Sequence, residues 1–296
     1  MQSERSKTKG IIMGVLAAVL WGLNGAVTQH LLSRYDISSY ELACIRMLCA
    51  GLLITLLNLM RSRTHTFDLF KNKADRRGLI LFAVCGLLIN QICYFNAIRF
   101  TDAGTATIMQ SMSSIVILLF TAFIRRILPP KLQIAAVAIA LTGVYLISTE
   151  AGIGLSLSPA GLFWGTMLAF AAASYILLSR PLTERWNSLT VTGFGMLIGG
   201  ILFSFAVRPW EIRVVPDAAG LLLFAYHVIF GTVAAFSLFL SCIHEIGPVS
   251  ANLIGNLEPL TASVVTAVLL HTAFTFRDIT GFILIMAAVI IVQLTG

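Results

Sequence analysis

Polar residues interrupt this chain at wide intervals and leave ten apolar runs between them: 10–32, 38–59, 78–99, 104–124, 131–149, 159–179, 189–207, 219–242, 248–270 and 278–295. Each is close to the roughly 20 residues that carry an α-helix across a bilayer. Strands of a membrane barrel would read as short segments alternating polar and apolar positions. These runs are continuous, so the pattern predicts helices throughout. Only helices and closed barrels satisfy every backbone group in hydrocarbon. The connections are short, the longest being 60–77 and 208–218, which leaves no room for an inserted soluble domain.

Composition agrees. Of 296 residues 58% are hydrophobic and 11% charged, with mean hydropathy +0.91, whereas soluble domains carry about 25% charged residues. The net charge of +7 does not point to nucleic acid, because the cations fall in alternate connections. With the N-terminus inside, cytoplasmic segments hold Arg5, Lys7, Lys9, Arg61, Arg63, Lys71, Lys73, Arg76, Arg77, Arg125, Arg126, Lys131, Arg180 and Arg185. The opposite side holds Arg34, Arg99, Arg208, Arg213 and Arg277. That bias follows the positive-inside rule. It predicts a multi-pass protein of the cytoplasmic membrane with both termini inside. The first run follows three cations and is too long for a signal peptide's apolar core, so it reads as the first spanning helix. Cys44, Cys49, Cys85, Cys93 and Cys242 all sit inside apolar runs without metal-ligand spacing and read as small packing residues. No P-loop pattern occurs. The expectation is therefore no metal, no cofactor and no ATP site.

An internal repeat is present. Shifting the first half by 145 residues lays Asn96–Leu119 over Ser241–Val264, with Thr105 on Ser250, Ala106 on Ala251 and Ser114 on Pro259. The same shift lays Leu141–Ile147 over Met286–Val292. This divides the chain into two five-helix units, 1–150 and 151–296. An odd number of spans reverses orientation, so the fold class is an all-α membrane protein of ten helices built as two inverted five-helix repeats. Inverted repeats with a site at their interface recur in secondary transporters.

Polar residues within the runs nominate a site. Glu258 lies deep in the ninth run, followed by Pro259, which lacks a backbone donor and frees the carbonyl of Gly255. A carboxylate in hydrocarbon is costly unless it faces protein or water. Arg46 lies at comparable depth in the second run. Paired with Glu258 it would make a structural ion pair; unpaired, Glu258 could couple transport to a proton or hold a cationic group. A single acid beside a kink-forming proline favours the structural pair. Asn90 and Tyr94, Gln110 and Ser114, and Asn252 and Asn256 are each four apart, on one helix face, with Gln91 beside the first pair. Trp21 and Asn24 lie three apart in the first run, and Tyr175 lies in the equivalent sixth. Together they form a candidate substrate cavity. His227 and His244 stand alone and read as packing residues. Glu258 is the one carboxylate deep in a run, and no base stands near a nucleophile, which argues against an intramembrane enzyme.

Three stretches resemble an EamA-type member of the drug/metabolite transporter superfamily. Leu20–Val27, LWGLNGAV, resembles the family's Trp-Gly-x-Asn stretch. Ile45–Gly51, IRMLCAG, resembles its Arg-Phe-x-x-Ala stretch and places Arg46. Ile246–Val264 resembles its Leu-Glu-Pro stretch and places Glu258 and Pro259. The chain departs from the family at Arg125-Arg126 and His271-Thr272, where Gly-Glu often ends a helix, and at Ala172-Ala173 in the sixth run. The resemblance implies a cavity lined by helices 1, 3, 4, 6, 8 and 9, with helices 5 and 10 peripheral. It also implies export or exchange of small metabolites, amino acids or drugs without ATP. The expected partners are a small-molecule substrate and the lipid bilayer, not nucleic acid, with a homodimer left open. A channel or a structural membrane subunit is the alternative.

Overall fold

The computed structural model describes residues 2–61, 67–149, 157–212, 214 and 216–295. The unit junction expected at 150/151, and Arg63 and Arg213 of the charge pattern, lie outside the described residues. The ten apolar runs are α1 (Lys7–Arg34), α2 (Ser39–Met60), α3 (Lys73–Phe100), α4 (Ala103–Arg125), α5 (Lys131–Ser148), α6 (Pro159–Thr183), α7 (Ser188–Val207), α8 (Ala218–Ile246), α9 and α10 (Phe276–Thr295). The first eight and α10 are each long and apolar enough to cross a membrane. α9 is two pieces, Pro248–Gly255 and Leu257–Leu269.

Local signals set the helix starts. Asp102 accepts from the amide of Thr105 at the head of α4, Ser158 from Gly161 at α6, Asn187 from Leu189 at α7 and Asp217 from Gly220 at α8. Each satisfies a donor that the first helical turn would leave open.

The helices pack in an order that exchanges the two halves. α5 lies on α10, α2 on α7 and α4 on α9; α1 lies on α8 and α9, and correspondingly α6 lies on α3 and α4. Replacing each helix of the first five by its counterpart in the second five returns the same pairs. The dominant contacts thus join one half to the other. α5 packs mainly on α10, which leaves that pair at the periphery and the other eight helices around the centre.

Interruptions repeat as well. α4 breaks at Met112 and α9 at Asn256, one residue short of the shift that aligns the sequences. α3 carries a π-helical stretch over Phe82–Leu88, and α8 one over Ile229–Ala234. Such bulges release carbonyls from the helical ladder, and within a membrane these need another donor. Ser174 of α6 donates to the carbonyl of Cys85 at 3.0 Å, and Thr232 to that of His227 at 3.0 Å.

Candidate functional site

A cavity of about 200 Å³ lies at the centre, where these interruptions converge. Its aromatic walls are Trp21 of α1, Tyr94 of α3, Tyr175 of α6 and Phe236 of α8. Trp21 is held edge-on to Phe236, with ring centroids 5.2 Å apart, and leans on Phe239 at 5.0 Å. Tyr175 packs on Phe82 of the α3 bulge, 5.4 Å between centroids. The polar groups are Asn24, Asn90, Gln91 and Gln110, with Arg46 and Glu258. Asn90 Oδ1 and Gln110 Oε1 are buried acceptors with no partner among the described residues. Buried polar atoms are nearly always paired, so these two oxygens are unfilled acceptor positions in the cavity lining.

One side of the cavity is a hydrogen-bonded layer. His227 is fully buried, and its Nδ1 lies 2.8 Å from Asn24 Oδ1 and 3.3 Å from Thr28 Oγ1. With the amide oxygen accepting, the ring proton sits on Nδ1. The Thr28 hydroxyl donates to the carbonyl of Asn24 at 2.8 Å. Arg46 Nε donates to Thr232 Oγ1 at 3.1 Å, and its guanidinium stands 5.6 Å from the centre of the Phe95 ring, a cation–π distance. Asn24 fits because residue 231 is glycine: a Cβ there would collide with the Asn24 side chain.

The Arg46–Glu258 ion pair expected from the sequence is not formed. Arg46 is committed to Thr232 and Phe95, and the Glu258 carboxylate has no hydrogen bond or ion pair among the described residues. α2 packs on α7, whereas α9 packs on α1 and α4, so the two charges face the cavity from different walls. Glu258 is placed by backbone contact. Gly22 of α1 lies so close to α9 that a Cβ would meet the Glu258 carbonyl at 2.8 Å and Thr261 Cβ at 2.5 Å.

Nine of the residues nominated from sequence meet at this cavity: Trp21, Asn24, Arg46, Asn90, Gln91, Tyr94, Gln110, Tyr175 and Glu258. Ser114, Asn252 and Asn256 are not among its lining residues. Ser114 follows the break at Met112, which cancels the helical phase linking it to Gln110. Asn256 stands two residues before Glu258, about 200° around a helix of 3.6 residues per turn. It donates instead to Gln293 of α10 at 2.9 Å. Asn252 shares that outward side and is exposed. The cavity also takes Arg46 from α2 and Met196 from α7, helices outside the lining set implied by the family resemblance. Leu87, Met196 and Phe236 carry no sequence mark that separates them from lipid-facing residues. His227 and Thr232 could have been noticed as a polar pair five apart in an apolar run.

The model of the EamA-like transporter family matches residues 8–149 and again 159–294. The uncharacterised inner membrane transporter YicL of Salmonella typhimurium is 35% identical over 291 residues, 98% of this chain and 96% of the relative. Protein PecM of Dickeya dadantii is 27% identical over 287 residues, 94% and 90% of the two chains. A protein of known crystal structure is alike in fold, with a TM-score of 0.64 covering 97% of each chain at 18% identity. The chain belongs to the EamA-like transporter family.

Proposed function

We propose that the protein is a secondary-active carrier of the cytoplasmic membrane that exports or exchanges a small organic metabolite by alternating access, without ATP. The observation that carries this reading is the central cavity itself. It combines four aromatic walls, two amide oxygens without a hydrogen-bond partner among the described residues, and one carboxylate held in no direct ion pair among them. Aromatic faces take the apolar body of a ligand, and sparse polar groups fix its orientation. A volume near 200 Å³ falls below the ~300–1,000 Å³ usual for drug-sized ligands, so the substrate is of amino-acid size. Unpaired, Glu258 is available to take up a proton or hold a cationic group of the substrate.

The test is flux in proteoliposomes across a panel of amino acids and small metabolites. A carrier saturates and shows counterflow, with external unlabelled substrate accelerating exchange of the labelled pool. Flux that neither saturates nor shows counterflow would identify a channel, and chemical alteration of the substrate an enzyme. Glu258→Gln separates the roles of the acid: we predict a folded protein that retains exchange and loses its pH dependence. If the variant unfolds, or its exchange keeps the parental pH profile, Glu258 does not carry the coupling proton.

A further inference from the structure

A second cavity of about 210 Å³ lies on the far side of the Asn24–His227 layer. Leu31 and Tyr35, Leu42 and Ile45, and Leu221 and Phe224 form its walls, and its lining is almost wholly apolar. Chain order fixes its position. On α1, Leu31 follows Asn24; on α2, Leu42 precedes Arg46; on α8, Phe224 precedes His227. On all three helices the pocket therefore lies toward the Tyr35 end. Trp21 and Phe236 of the central cavity lie toward the opposite end of the same helices. Phe224 is shared structure: its ring lies 6.3 Å from that of His227, tilted 37°. Along these helices the Asn24–His227 layer lies between the two sets of lining residues.

A polar clasp stands at the pocket's outer end. The Tyr35 hydroxyl, just past the end of α1, donates to Asp217 Oδ1, and the same oxygen accepts from the amide of Gly220 at the head of α8. α1 belongs to the first five-helix set and α8 to the second, so the clasp joins the two halves at the end the charge pattern assigns to the outside.

We infer that this apolar pocket is a second station on the translocation path, taking the apolar portion of an organic substrate between the central cavity and the outside, with the Tyr35–Asp217 clasp as its outer gate. The inference rests on the carrier reading above. Two cavities of nearly equal volume stand in series along α1, α2 and α8, with the hydrogen-bonded Asn24–His227 layer between them. An apolar compartment of this size accepts an aryl or branched alkyl group and offers nothing to a free ion.

The test uses the full chain with its five cysteines replaced and a single cysteine introduced as Leu42→Cys, with Phe224→Cys on the opposite wall as an independent second site. A membrane-impermeant thiosulfonate is added outside intact cells, with indole as the probe ligand and Glu211→Cys on the exposed connection as the control. Tyr35→Phe should speed labelling at Leu42→Cys and Phe224→Cys severalfold, and indole should slow it severalfold. Neither change should move the rate at Glu211→Cys. Labelling in the pocket that ignores Tyr35→Phe overturns the gate. Indole protection that is absent, or equal at Glu211→Cys, overturns the binding station. Proteoliposomes without counterflow overturn the carrier reading, and with it the pocket's place on a path, whatever the labelling shows.

Discussion

At the scale of single residues, the site depends on contacts that tolerate no added atom and on buried polar groups that share partners. Gly231→Ala would place a methyl group against the Asn24 side chain and push that amide off His227. Overpacking of this kind costs about 1–3 kcal/mol, so we predict a lower melting temperature together with weakened substrate binding. Thr232→Val removes the acceptor for Arg46 Nε and the donor to the His227 carbonyl in one step. Leaving buried polar groups unsatisfied costs about 1–3 kcal/mol, more for a charged one, and Thr232→Ser should restore most of the loss in the same thermal measurement. At the membrane surface the clasp titrates. The hydrogen bond from Tyr35, followed by that from the Gly220 amide, holds Asp217 below its ordinary 3.8. The bond to Asp217 first, and desolvation second, push Tyr35 above its ordinary 10.0, against the opposing pull of Arg34. Asp217 therefore contributes fully above its unfolded value and loses that contribution as pH falls through the lower folded value. Tyr35 contributes fully below pH 10.0 and loses its share as pH rises through the higher folded value. The clasp should keep one protonation state across neutral pH. The phenolate absorbance lost in Tyr35→Phe should titrate above pH 10.0, and in Asp217→Asn the Tyr35 absorbance should titrate at lower pH than in the parent chain.

At the scale of elements, the ten helices were legible because lipid imposes one rule on every span. Their interruptions were only partly legible. Pro259 predicted a disturbance at the carbonyl of Gly255, and the first piece of α9 ends at that residue. The matching break at Met112 has no proline to announce it, and Ser113-Ser114 occupy the corresponding place. The two π-helical stretches have one mark in common: Gly86 and Gly231, which coincide under the 145-residue shift. A glycine inside an apolar run has many other uses, so neither could be read as a bulge from one sequence. The same limit explains the site residues. Trp21, Asn24, Asn90, Tyr94 and Gln110 could be nominated because a polar or amphipathic side chain in a lipid-spanning run must face something other than lipid. Asn252 and Asn256 satisfy that rule too, with Asn256 meeting Gln293 of α10, and residue type alone could not tell an interhelical hydrogen bond from a cavity wall. Equal depth does bring Arg46 and Glu258 to one cavity, where each feels the other's charge, but it says nothing of whether their helices are neighbours, and the two form no direct ion pair.

At the scale of the molecule, the repeated helix pairs and interruptions give a two-fold scaffold, and the groups within it are not two-fold. Glu258 and Pro259 stand in one half where Ser113 and Ser114 stand in the other, so a single carboxylate serves a cavity built from both. The proposed carrier would expose the cavity to each side in turn, from the orientation that the charge pattern predicts. In a cysteine-free chain, Glu211→Cys should react with an impermeant reagent from outside, and Lys131→Cys only after the membrane is broken. The reverse pattern would turn the molecule over. Counterflow distinguishes a carrier cavity around Glu258 from a pore. Purified protein is reconstituted in liposomes, loaded with unlabelled candidate substrate and diluted into trace labelled substrate. We predict transient uptake of label above equilibrium, abolished by Trp21→Ala and by Gln110→Ala in protein that remains folded. Uptake that rises to equilibrium without an overshoot for every substrate the protein passes, or an overshoot that survives both substitutions, would contradict it.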